Sequence, residues 1–170
     1  QRTLLPVMLE WFADSPDPDA GLFGFRRISE ALGDTPWYLR ALRDEGQVAE
    51  RLARLLSTSR FATDLLEREP EGVKILGQDL TPLSQEALGE EMTATVRRRA
   101  DAADAVRGVR GIRRRELFRI AVGELFGETD VEQAGQALTS MTDATLEATL
   151  QAALRDRARA EGFDTPPARM

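Results

Sequence analysis

Apolar positions along this 170-residue chain recur at helical spacing, and proline and glycine interrupt them at short intervals. Leu4, Leu5, Met8, Leu9 and Phe12 form a first stripe, with Thr3 as its cap and Pro6 in the first turn, where a missing N–H costs little. Ser15-Pro16-Asp17-Pro18 reads as a loop that ends in an N-cap and first helical residue, and Leu22, Phe25, Ile28, Ser29 and Leu32 follow on one face until Gly33. Thr35-Pro36 repeats the start signal for a short helix from Trp37 to Arg43, ended near Gly46. Val48, Leu52, Leu55 and Leu56 make the next stripe. Ser57, Thr58 or Ser59 then caps a helix with Phe61, Leu65 and Leu66, and Val73, Ile75 and Leu76 give one more apolar turn before a break at Asp79–Leu83.

Longer elements follow. Ser84 opens a helix carrying Leu88, Met92 and Val96, and Asp104 to Phe126 is one continuous run with Leu117, Ile120, Ala121 and Leu125 on one side. Gly127 breaks it. Asp130 and Gln133 form a capping box for a last helix, on which Ala134, Leu138, Met141, Leu146, Leu150 and Leu154 lead to about Ala160 and Gly162. No window alternates with period two, so no sheet is expected. The predicted fold is all-α, with short helical hairpins stacked on a bundle of longer helices. Its predicted divisions are a hairpin subdomain (1–78), a long-helix subdomain (79–161) and an extended exit segment (162–170).

Composition narrows the chemistry. With 42% hydrophobic and 31% charged residues the chain is globular in type, and no apolar run nears the ~20 residues that span a bilayer. A soluble, intracellular segment of a longer protein is expected, with no membrane partner; the opening residues, Gln1-Arg2-Thr3-Leu4-Leu5-Pro6, do not read as a secretion signal. Cysteine and histidine are both absent, which removes thiolate nucleophiles, disulfides, the commonest neutral-pH base and the commonest metal ligand. Lysine and tyrosine occur once each, as Lys74 and Tyr38.

Four features remain to be weighed. Asp17-x-Asp19 has the spacing of a Mg²⁺-binding pair, but Pro16 and Pro18 set it in a turn, where a helix cap accounts for Asp17. From Arg97 to Arg119, nine arginines stand against Asp101, Asp104 and Glu116. They can pair with acids of the same chain, dock an acidic protein surface, or bind nucleic acid; the net charge of −6 disfavours the last. Within that stretch Arg113, Arg114, Arg115 and Arg119 are the candidate interdomain or partner contacts. Gly21-x-x-Gly24 and Gly108-x-x-Gly111 lack the strand and Lys-Ser/Thr of a phosphate loop and read as close helix packing or a local bend. Trp11, Trp37 and Tyr38 read as core anchors. No catalytic, cofactor-binding or metal-ligating residue is assigned in this chain.

The order of segments resembles the central region of bacterial glutamine synthetase adenylyltransferases, especially actinobacterial ones. Three stretches carry the likeness. The first is Leu4-Leu5-Pro6-Val7-Met8-Leu9-Glu10-Trp11-Phe12 with Asp17-Pro18-Asp19-Ala20-Gly21-Leu22 and Arg26 to Leu32. The second is Thr35-Pro36-Trp37-Tyr38-Leu39-Arg40 with Leu52 to Arg60. The third is Ile112 to Ala121 with Asp130-Val131 and Leu138-Thr139. The resemblance implies a parent with two nucleotidyltransferase domains, using ATP and Mg²⁺, flanking a helical middle. One end would attach AMP to a tyrosine of glutamine synthetase and the other would remove it, under control of glutamine and a PII signal protein in the cytoplasm. The family's Gly-Ser or Ser-Ser followed by Asp-x-Asp on a sheet is missing here, so no catalytic residue is carried over. The chain is thus expected to be a non-catalytic regulatory and linking domain. The alternative is a stand-alone helical scaffold that binds a protein partner.

Overall fold

A computed structural model describes residues 4–33 and 35–162 of the chain. Thr3, the expected first cap, and residues 163–170, most of the expected exit segment, lie outside the described residues. All regular structure among the described residues is helical: α1 (Leu4–Ala13), α2 (Pro18–Leu32), α3 (Pro36–Asp44), α4 (Gly46–Thr58), α5 (Arg60–Arg68), a 3-10 helix (Pro70–Gly77), α6 (Gln85–Arg98), α7 (Ala102–Phe126) and α8 (Val131–Ala160). This is the expected all-α class.

Local chemistry sets the boundaries. Asp17 caps α2 by accepting from Ala20 N at 3.0 Å, Ser59 caps α5 from Ala62 N at 3.2 Å, and Ser84 caps α6 from Ala87 N at 3.2 Å. Thr35 precedes α3 without capping it; its hydroxyl donates to the Leu32 carbonyl at 2.6 Å. The α7 helix begins two residues earlier than its apolar pattern predicts, because the Asp101 carboxylate accepts from Ala103 N and Asp104 N. At Asp130 both halves of the capping box form, at 2.8 and 3.0 Å. Gly127 ends the α7 region in the left-handed conformation (φ +74°), which only glycine adopts without strain.

The chain divides into two compact units. One comprises the residues up to Thr81 together with Phe118–Thr129, and the other Pro82–Leu117 together with the residues from Asp130. In the first unit α4 is the central element, in contact with α1, α2, α3, α5 and the 3-10 helix. Its Val48, Leu52, Leu55 and Leu56 are all buried, as the stripe predicts, together with Met8, Phe12, Ile28, Tyr38, Leu66, Val73 and Leu76. Fully burying side chains of this size contributes about 1.5–3 kcal/mol each against an extended unfolded chain. The second unit is built on α6 lying along α8, with a core of Leu88, Met92, Val96, Ala105, Val109, Ile112, Met141, Ala144, Ala148 and Ala152.

Several large apolar residues of the predicted stripes face outward instead. Leu9, Leu22 and Phe61 are exposed in the first unit, and Leu138, Leu146, Leu150 and Leu154 in the second. On α8 the buried face is the alanine face. Small side chains let two helix backbones approach closely, and the bulk that fills the interface comes from Leu88 and Met92 of α6.

Candidate functional site

The candidate site is the arginine-rich stretch, and most of its cations are engaged locally. Within the second unit, Arg99 pairs with Asp104 at 2.6 Å while Arg107 reaches the same carboxylate at 3.4 Å. The hydrogen bond from Arg99 is the main reason the Asp104 carboxyl is held below the usual range. Arg98 lies 3.4 Å from Thr95 Oγ1, and Arg115 pairs with Glu91 of α6.

The four residues singled out from sequence do not converge. Helix periodicity turns consecutive side chains by about 100°, so Arg113 and Arg115 are exposed while Arg114 is half-buried between them. Arg119 falls in the first unit, where its Nη1 donates to the Asp79 carbonyl at 2.6 Å. Asp79 is tied down from the other side too: its carboxylate accepts from the backbone and hydroxyl of Thr81, which hold its pKa down. Arg97 on α6 and Arg110 and Arg113 on α7 are left as exposed cations with neither ion pair nor side-chain hydrogen bond among the described residues. They are the part of the stretch available to an external anion or acidic surface.

Three other groups matter that the pattern reading passed over. Glu116, only 2% exposed, accepts from Leu83 N at 2.7 Å and so fixes the chain entering α6. Arg155 donates to the Val96 carbonyl at 2.6 Å and to the Arg99 carbonyl, and Arg159 donates to the Ala100 carbonyl. Together these two arginines satisfy the carbonyls that the end of α6 leaves open. Their spacing of four near the end of α8 was a usable sign, since it places both on one face. In the first unit Arg51 and Arg54 both lie over the Phe126 ring, at 5.5 and 5.4 Å from its centre, and Arg51 also binds the Leu76 carbonyl and Glu128.

Asp17 is the helix cap, Tyr38 is buried with its hydroxyl 2.8 Å from Ser29 Oγ, and Trp37 carries Lys74 Nζ 4.4 Å from its ring centre. Gly21 and Gly24 are buried at helix contacts and Gly108 abuts Thr95, so these glycines serve packing. Among the described residues no three acidic side chains gather as a metal would require. No helix among them is long and apolar enough to cross a membrane.

The described residues define an all-helical protein with an arginine-rich stretch on α6 and α7. The chain belongs to the glutamate-ammonia ligase adenylyltransferase family, whose model matches residues 49–169. It is 53% identical over 98% of its length to the bifunctional glutamine synthetase adenylyltransferase/adenylyl-removing enzyme of Cutibacterium acnes. The enzymes of the same name from Streptomyces coelicolor and Leifsonia xyli are 52% and 46% identical over 92% and 96% of the chain. In each case the chain spans only 17% of the relative's length. No solved structure matches it.

Proposed function

We propose that this chain is a non-catalytic regulatory and linking domain of a bifunctional enzyme that adenylylates and deadenylylates glutamine synthetase. The observation that carries this reading is the coverage: nearly all of the chain aligns, at about half identity, with about one sixth of relatives that bear both activities in their names. The use of acidic side chains for caps and ion pairs supports it. In such an enzyme, ATP and Mg²⁺ belong to the flanking catalytic domains, with which this segment is in contact in the cytoplasm. Glutamine synthetase and a PII signal protein are the partners of the whole.

Two opposing activities on one polypeptide must not run together, so a segment between them is well placed to convey which is active. Arg110 and Arg113 are the α7 contacts it offers to an acidic neighbour, because both are exposed and in no ion pair among the described residues, whereas Arg99, Arg107 and Arg115 are paired and Arg119 binds a carbonyl. Arg110→Glu/Arg113→Glu in the full-length enzyme is expected to change the ratio of AMP attachment to AMP removal, or its response to effectors. The 170-residue chain alone, given ATP, Mg²⁺ and glutamine synthetase, is expected to transfer no AMP. Transfer by the chain alone overturns the non-catalytic reading, and a double variant whose opposing activities and response to effectors are both unaltered overturns the regulatory one.

A further inference from the structure

The α8 helix carries a second surface, independent of the reading above. On the side opposite its alanines, Leu146, Leu150 and Leu154 are 64%, 44% and 47% exposed. At about 100° per residue they lie within ~40° of one line along the helix, and Asp143 and Arg157 continue that line at its two ends. Leu138 and Val131, also exposed, fall off it.

The order of these five residues is symmetric about Leu150. Leu146 and Leu154 stand four residues to either side, and Asp143 and Arg157 stand seven to either side, about 10 Å along the axis at 1.5 Å per residue. The charges at the two ends have opposite sign. From Val131 to Leu154 α8 contains Glu132, Asp143 and Glu147 and no cation; its arginines are Arg155, Arg157 and Arg159. Arg155 and Arg159 bind backbone carbonyls, whereas Arg157 is largely exposed and among the described residues pairs with Glu161, the residue that caps its own helix. A surface of this kind is self-complementary under one operation, a two-fold axis through Leu150. A parallel copy would oppose like charges at both ends.

We infer that the Leu146–Leu150–Leu154 face of α8 is the contact for a second copy of this chain, packed antiparallel about Leu150. Leu150 then meets its own counterpart, each Leu146 meets a Leu154, and each Asp143 meets an Arg157, every pair but the central one occurring twice. Three leucines per chain form a contact smaller than the ~1,200 Å² of stable specific complexes, so the dimer is reversible and populated at high protein concentration.

Sedimentation of the intact chain over a wide concentration range tests this, with circular dichroism confirming that each variant keeps its helix. The wild-type chain is expected to shift from monomer to dimer as concentration rises. Leu150→Glu, at a position the fold leaves exposed, is expected to weaken association by at least ~10-fold, since it places two like charges at the centre of an apolar contact. Asp143→Arg and Arg157→Asp are each expected to weaken it, because each opposes like charges twice. Mixing the two single variants, or combining both changes in one chain, is expected to restore it. A chain that remains monomeric throughout, a dimer indifferent to Leu150→Glu, or single charge variants that fail to complement each other would overturn the inference.

Discussion

Gly21 stands where three helices meet: a β-carbon there would lie 2.6 Å from Phe12 Cδ1 of α1 and 2.9 Å from Ser57 Cβ of α4. Both neighbours are themselves buried, so neither can retreat. Gly21→Ala is expected to destabilise the chain by about 1–3 kcal/mol, the usual cost of overpacking, in chemical denaturation. At Gly135, where an added β-carbon meets nothing within 4 Å on an exposed helix position, the same change is expected to stabilise slightly. Tyr38 supplies a pH test. Burial pushes its phenol pKa above the ordinary 10.0, outweighing the hydroxyl contact with Ser29. The folded chain therefore holds the phenolic proton more tightly than the unfolded chain. Its contribution is fully present below about pH 10 and is lost as pH rises from there through the folded pKa. Thermal unfolding of wild type and Tyr38→Phe should accordingly differ in slope above pH 10, the phenylalanine variant losing less stability; parallel slopes would refute the buried-phenol argument. Glu116→Ala would leave Leu83 N unmatched by that carboxylate, at an expected cost of about 1–3 kcal/mol.

Among the elements, those with chemical end signals are the ones the sequence makes legible. Asp130 with Gln133 reads as a capping box and forms one, so Asp130→Ala is expected to lower stability by about 0.5–2 kcal/mol in urea unfolding. Asp17, Ser59 and Ser84 are caps of the same kind, and α4, whose apolar positions leave one consistent face, buries the residues its stripe names. What fails is the choice of face where two stripes compete. On α8, leucines and alanines each recur at helical spacing, and hydrophobicity alone favours the leucines. The outcome depends on α6, because the bulk of Leu88 and Met92 leaves room only for small side chains opposite. No window within α8 contains that information. The candidate site was hard to read for the same reason. Nine arginines in a row of 23 residues are conspicuous, but which of them are engaged depends on Glu91, Asp79 and other groups brought in from elsewhere in the chain.

For the molecule as a whole, net charge favours the proposed acidic neighbour over nucleic acid at the arginine stretch. The chain is net −6, so a polyanion approaching it meets repulsion before it meets Arg110 or Arg113. Nucleic-acid affinity is built on several phosphates neutralised at once, with one counterion released for each. Here Arg99 and Arg107 already share Asp104, Arg115 has Glu91, and Arg155 and Arg159 cover carbonyls, so few cations are left for a phosphate ladder. An acidic protein surface makes a smaller demand. Two exposed guanidiniums can pair with two carboxylates, and charges more than about 8 Å away are screened at physiological ionic strength, so the net repulsion matters less at contact. Duplex DNA on a column is therefore expected not to retain the chain at about 150 mM salt, where specific contacts persist and the non-specific pull of the phosphates is weakened. Retention that weakens steeply with added salt and disappears in Arg110→Glu/Arg113→Glu would reverse this assignment and give the stretch to nucleic acid.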